Sequence, residues 1–320
     1  MARCAAPSSK TSVYAALVGN LLVAVTKAVA AVFTNSASMA SEAVHSLVDT
    51  GNELLLLYGM SRSRRAPDQE HPLGYGRELY FWSFIVALLV FAVGAGVSIY
   101  QGVEHIRAPE PIRNPLINYV VLALAFLFEG GSWWVALRQF RASKGEMGLL
   151  EAIHRSKDPP SFMVLLEDSA ALLGIAVAAL GTFLSVSLHQ PALDGAASIV
   201  IGLILAATAV VLARESKSLL IGEQASPHLA RSVIDMARAE PGVHAANGLL
   251  TVQLAPDQVV VALSVEFGSD CTAAQIEAQV VALEDKAKAA FPEIVMLFIK
   301  PQSRDRYEDL KAARRPPDDA

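Results

Sequence analysis

Residues 41–53 read SEAVHSLVDTGNE and set Glu42, His45, Asp49 and Glu53 into a stretch, 38–60, that is otherwise mostly apolar. At about 100° per residue these four side chains fall within an arc of roughly 80°, so a helix through them carries one polar stripe. His45 and Asp49 stand at i and i+4, neighbours on a helix surface, and can turn one imidazole nitrogen and one carboxylate towards the same cation. The surroundings decide what such a stripe means. Of the 320 residues 53% are hydrophobic and 18% charged, with a mean hydropathy of +0.40, a balance that belongs to a membrane protein rather than a soluble globule. Ionisable groups within a bilayer are costly and face a bundle interior, a cavity or an ion path, which makes all four functional candidates. The competing reading is a polar network that packs helices, with His45 hydrogen-bonded to a neighbouring span.

A bilayer core asks for about 20 mostly apolar residues in a helix. Six stretches qualify, 12–33, 38–60, 79–103, 115–137, 161–186 and 192–213. The first is long enough to remain in the membrane and lacks a small-residue cleavage site, so it is expected to be the first span rather than a removed signal. Arg62, Arg64, Arg65 and Arg77 follow span 2, and Arg138, Arg141, Lys144, Arg155 and Lys157 follow span 4, whereas the opposite side has Arg107 and Arg113. Arg3 and Lys10 fall on the richer side. The positive-inside rule then places both termini in the cytoplasm of a multi-pass inner (plasma) membrane protein.

The expected fold is membrane all-α, six transmembrane helices followed by a small cytoplasmic α+β domain. Residues 1–10 form an N-terminal segment, 11–213 the transmembrane domain, 214–302 the cytoplasmic domain and 303–320 a disordered tail. Within the soluble part the pattern predicts a helix over 227–239, strands over 248–254 and 258–267, a helix over 272–290 and a strand over 293–300, in the order αββαβ. The tail mixes charges of both signs with Pro316 and Pro317 and has no apolar anchor.

Span 5 begins after Pro159 and Pro160 and runs SFMVLLEDSAALLGIAVAALG, with Glu167 and Asp168 about two turns inside it. Adjacent helical residues point about 100° apart, so both carboxylates cannot face one ion equally well. Asp168 is the preferred ligand. Glu167 is left as a second ligand, a proton carrier or a partner for another charge. Lys27 in span 1 and Glu129 in span 4 are further intramembrane charges, expected to pair with each other or with these acids. The two cysteines, Cys4 and Cys271, have no metal or disulfide spacing. Nothing in the charge distribution supports nucleic-acid binding, and no nucleophile, base and orienting group share a site, which argues against an enzyme.

With these residues assembled, the sequence resembles the cation diffusion facilitator family, whose members carry a HxxxD or DxxxD pair on span 2 and another on span 5. His45 to Asp49 matches the first pair, DQEHPLGYGRE (68–78) resembles the family signature after span 2, and DGAASIVIGLIL (194–205) resembles its span 6. The phrases HPLGYGRELYFWS and DPPSFMVLLEDSAALLG are most similar to the branch that includes animal zinc transporter nine and its bacterial relatives. The resemblance implies a homodimer whose soluble domains associate, and a proton-coupled exporter of zinc that works by alternating access. No bound cofactor is implied; the metal is the cargo. It also implies a four-ligand site in which Val164 stands where the span 5 histidine or aspartate is expected, leaving His45, Asp49 and Asp168 with a fourth position open to Glu167, water or another side chain. An oxygen-rich site is harder, so manganese, iron and cobalt are alternative substrates. The family's second site, in the loop after span 2, keeps Asp68 and His71 but has Tyr75 for its second histidine, which implies a weak or absent site. His228 and His244 are scattered and the last strand has no histidine, so the soluble domain is not expected to bind metal tightly. Glu42, Glu53, Lys27 and Glu129 are the proton or charge partners. The alternative from another class is a membrane sensor or scaffold that does not transport.

Overall fold

A computed structural model describes residues 10–143 and 147–313. The chain divides into two compact units, Met1–Lys217 and Ser218–Ala320.

The first unit is helical. Its elements are α1 (Lys10–Thr34), α2 (Ala37–Ser63), α3 (Glu78–Leu89), a π-helical segment (Val90–Ala95), α4 (Gly96–Arg107), α5 (Pro115–Ser143), α6 (Leu149–Arg155), α7 (Pro159–Ser187) and α8 (Ala192–Ile221). Each of the six apolar stretches read from the sequence is thus helical, with the π segment a widened turn inside the third. Among the described residues four helical stretches are long and apolar enough to cross a membrane: Glu78–Arg107, Pro115–Ala142, Pro159–Ser187 and Ala192–Ile221. The apolar part of α1, Asn20–Thr34, is shorter, and α2 has the length, at 27 residues, but carries the polar stripe. The short helix α6 was not anticipated.

Asn35, at a φ of 56°, reverses the chain between α1 and α2, a left-handed conformation that asparagine tolerates better than most residues. Ser36 then caps α2 by accepting from the Met39 amide. The core of this unit combines Met39, Leu122, Ile175, Ile201 and Leu205 with alanines of α1, α5, α7 and α8, small residues that let helices approach closely where burial of apolar surface alone gives little drive.

The second unit contains α9 (Pro227–Arg238), β1 (Val243–Ala255), β2 (Gln258–Phe267), α10 (Ala273–Ala290), β3 (Ile294–Pro301) and α11 (Arg304–Ala313). The sheet order is β1-β2-β3, with β1 antiparallel and β3 parallel to β2. Along β2 the side chains of Val259, Val261, Leu263 and Val265 are buried with Leu229 and Val233 of α9 and Leu283 and Ala287 of α10. Alternation along the strands turns the other face outward, where α11 covers Gly248 while Leu250, Ala262 and Phe298 pair across the three strands and stay exposed.

One expectation is corrected here. Residues 304–313 were expected to lack order, yet they form α11; the rest of that tail, 314–320, lies outside the described residues. Tyr307 provides the missing anchor. Its ring packs so closely on Gly248 of β1 that a Cβ there would overlap the phenol, and Glu266 accepts a hydrogen bond from the Arg304 amide at 3.0 Å.

Candidate ion site

The stripe on α2 is realised: Glu42 and Glu53 find partners on α1, and His45 faces Asp49 one turn along α2 itself. Glu42 and Lys27 are both at zero exposure, and Lys27 Nζ donates to Glu42 Oε2 at 3.0 Å and to Ser46 Oγ at 2.8 Å. Glu129 Oε1 of α5 lies 4.0 Å from the same ammonium, so the expected pairing of Lys27 is with Glu42 first and Glu129 second. Glu42 Oε1 presses on α7 at Gly174, where any side chain would overlap it. His45, 1% exposed, has Nδ1 3.3 Å from Asp49 Oδ1. The approach lacks hydrogen-bond geometry, and both ring nitrogens and that oxygen are buried without a hydrogen bond. Glu53 accepts from Asn20 Nδ2 of α1 at 3.0 Å.

On α7 the neighbouring carboxylates separate as helical geometry requires. Glu167 is buried and accepts from Asn52 Nδ2 at 2.9 Å. Asp168 turns towards α5 and accepts from Ser132 Oγ at 2.8 Å. Trp133 Nε1 donates to Ser169 Oγ at 2.9 Å, a second tie between the same two helices.

Asp49, Glu53, Glu129, Glu167 and Asp168 line one cavity of about 970 Å³, with Val164 also on its wall. Gathering five acidic side chains around one space, Glu167 buried and the other four half-buried, is expensive unless cations or protons accompany them. The cavity runs along α2 from Ser46 to Met60 and reaches Gln139 of α5, about 21 Å towards the end of the bundle that carries Arg62, Arg64 and Arg65. His45 stands behind this wall, beside Asp49. Among the described residues no three His, Cys, Asp or Glu side chains are close enough together to hold one ion as they stand.

Sequence reasoning missed Ser46, Asn52 and Ser132. The first two were legible: Ser46 lies four residues after Glu42, and Asn52 three after Asp49 and seven after His45, so both belong to the stripe. Ser132 had no signal, because its role depends on how α5 packs against α7. Asp194, at the start of α8, was seen only as part of a motif. It is fully buried and holds the N-terminus of α2, accepting from the amides of Ala37 at 2.5 Å and Ser38 at 3.2 Å, from Ser36 Oγ at 3.0 Å and from Ser38 Oγ. A carboxylate there meets the free amides and positive dipole end of the helix.

The loop after α2 has a different arrangement. Tyr75 donates its hydroxyl to Asp68 Oδ2 at 2.6 Å, the His71 and Glu70 amides bond Asp68 Oδ1 at 2.7 and 3.1 Å, and the rings of His71 and Tyr75 lie 4.3 Å apart. An ion at Asp68 would have to displace the tyrosine hydroxyl. The Tyr75 bond first, then the amides, hold the Asp68 carboxyl below its usual range. These bonds are therefore in place above the ordinary carboxylate range and are lost as pH falls through the lowered folded value. Tyr75→Phe is expected to return the Asp68 titration upwards, as followed by carboxyl-carbon NMR; an unchanged titration would show that the hydroxyl bond does not form in solution. In the second unit, His228 and His244 are exposed and lie on separate elements.

Carboxyl groups lining a cavity in a helical bundle, with a buried imidazole and a buried lysine beside them, form a candidate cation path through a membrane protein. The model of the cation efflux transmembrane domain matches residues 13–221, and the chain belongs to the cation efflux, or cation diffusion facilitator, family. It is 34% identical over 256 residues, 79% of this chain and 46% of the relative, to the mitochondrial proton-coupled zinc antiporter SLC30A9 of Xenopus laevis. To metal tolerance protein C4 of Arabidopsis thaliana it is 38% identical over 57% of this chain and 40% of the relative. The cation-efflux pump FieF of Cronobacter sakazakii is 26% identical, with 79% of each chain covered. The chain thus spans about half the length, or less, of the first two of these relatives.

Proposed function

We propose that this protein exports a divalent metal cation, zinc foremost, in exchange for protons. His45, Asp49 and Asp168 bind the ion, and Glu167 serves as fourth ligand or proton carrier. The observation that carries the reading is the pair of unsatisfied His45 ring nitrogens and the unsatisfied Asp49 oxygen behind a cavity lined by five carboxyl groups. Buried groups of this kind are completed by a cation or by protons. Metal binding requires neutral imidazole and ionised carboxylates, so loading the ion releases protons and reprotonation releases the ion, which couples the two flows. The names of relatives agree with this reading: SLC30A9 is called a proton-coupled zinc antiporter and FieF a cation-efflux pump.

The chain crosses the inner membrane six times with both termini in the cytoplasm, a topology supported by six helical apolar stretches and by arginines gathered at one end. In that orientation the cavity opens towards the cytoplasm, and Asp194 closes over α2 at the far end, as one half of an alternating-access cycle requires. Membrane lipid surrounds the exposed apolar residues of the long helices. Asp68 and His71 hold metal weakly or not at all.

The test is flux into proteoliposomes with zinc, manganese, iron(II) and cobalt in turn, with and without a pH gradient. Zinc is expected to move fastest, and faster when the receiving side is acid. A folded protein that moved none of the four would be a sensor or scaffold instead.

The functional unit is a homodimer, supported by the uncovered apolar sheet face at Leu250, Ala262 and Phe298, a patch that water disfavours. Leu250→Asp with Phe298→Asp should convert the isolated segment 214–320, or the full chain in detergent, from dimer to monomer by light scattering. A parent protein already monomeric at micromolar concentration would contradict the reading.

A further inference from the structure

We propose that Lys27 is a tethered internal cation that stands in for the transported ion while the site is empty, and that it is a positioning residue setting the affinity for the divalent metal. The inference rests on the function proposed above and adds a component to it.

Lys27 is the one Lys or Arg among the described residues that is buried, and it reaches from α1 to Ser46 and Glu129, two residues of the cavity wall. An ammonium has three donors. Two are used, on Glu42 and Ser46, both of α2. The third faces Glu129 of α5 across 4.0 Å, too long for a hydrogen bond but within one small swing of the side chain. Ser46 and Glu129 are themselves on the cavity wall, together with Asp49. The ammonium therefore sits one layer behind the ion path, fixed to one acid outside the path and adjacent to a second acid within it. Glu42 cannot retreat from it, because its other oxygen is packed against Gly174 on α7.

Electrostatics then orders the states. In a medium of low polarity, carboxylates that lose their metal need another positive charge, and Lys27 supplies it by leaning towards Glu129. When a divalent ion arrives the two cations repel, and Lys27 withdraws fully onto Glu42. The resident charge weakens metal binding enough for release and keeps the empty site from collapsing into repulsion. A salt bridge with only a structural role would not have this effect on affinity.

The groups predict opposite signs. Lys27→Met removes the competing charge and is expected to tighten equilibrium zinc binding to the purified protein in nanodiscs by about tenfold while lowering maximal flux in proteoliposomes. Glu42→Gln releases Lys27 towards Glu129 and is expected to weaken zinc binding by a similar factor. The double variant Lys27→Met with Glu42→Gln leaves no orphaned buried charge, so it tests the idea even if Lys27→Met alone does not fold. It should bind zinc more tightly than the parent. Parent protein that binds zinc, beside a folded double variant that binds it equally or more weakly, overturns the role of Lys27 and leaves the proposed export intact. A parent that binds none of zinc, manganese, iron(II) and cobalt overturns both.

Discussion

Asp49→Ala and Asp168→Ala are each expected to lower zinc flux in proteoliposomes by about 100-fold or more while the protein stays folded and keeps its oligomeric state. Both carboxylates face the cavity, and they come from two helices that meet there, so each supplies charge that the other cannot replace. Asp49 also faces His45 at 3.3 Å, and its loss would leave the imidazole without its neighbour. Ser132→Ala removes only the hydroxyl that orients Asp168 and should cost about tenfold. Near-normal flux from Asp49→Ala would place the ion path elsewhere. A folded Asp168→Ala protein with full flux, beside an inactive Glu167→Ala, would exchange the roles of the two acids on α7.

Asp194→Ala should be the most damaging single change to stability outside the cavity. The carboxylate accepts from two backbone amides and two serine hydroxyls at the buried start of α2. Hydrogen bonds to a charged group contribute about 1.5–3 kcal/mol each, and the donors left behind would be buried and unsatisfied. A loss of about 3 kcal/mol or more follows, seen as a thermal midpoint lower by roughly 6–12 °C in detergent. Asp194→Asn keeps the shape and one acceptor and should lose about half as much. A midpoint unchanged by Asp194→Ala would mean that water already serves this helix end.

How far the site was legible depends on the distance over which each residue acts. Glu42, His45, Asp49 and Glu53 could be read together because helical periodicity alone aligns them, and the same periodicity separated Glu167 from Asp168 before any fold was known. It could not say which of the two would meet Asn52 and which Ser132, since that depends on how α7 is rotated against α2 and α5. Nor could it assign Lys27 to Glu42 ahead of Glu129. In the loop, the substitution of tyrosine for histidine at 75 was visible; that its hydroxyl would close on Asp68 was not. The tail offers the clearest miss. Its composition suggested no order, and a single aromatic ring on a glycine-bearing strand was enough to anchor a helix over 304–313.

By itself, then, the sequence determined the features that depend on local pattern: the helical apolar stretches, the polar stripe on α2, the alternating strands of the second unit and the family. Solvent transfer and backbone geometry act residue by residue, so these need no knowledge of distant neighbours. Only the tertiary structure decided the partners: Asp194 closing a helix 158 residues away, five carboxyl groups turned into one cavity, and a lysine held between two acids. Those arrangements arise from helix rotation and packing, in which a buried charge must find a compensating group wherever the chain brings one near.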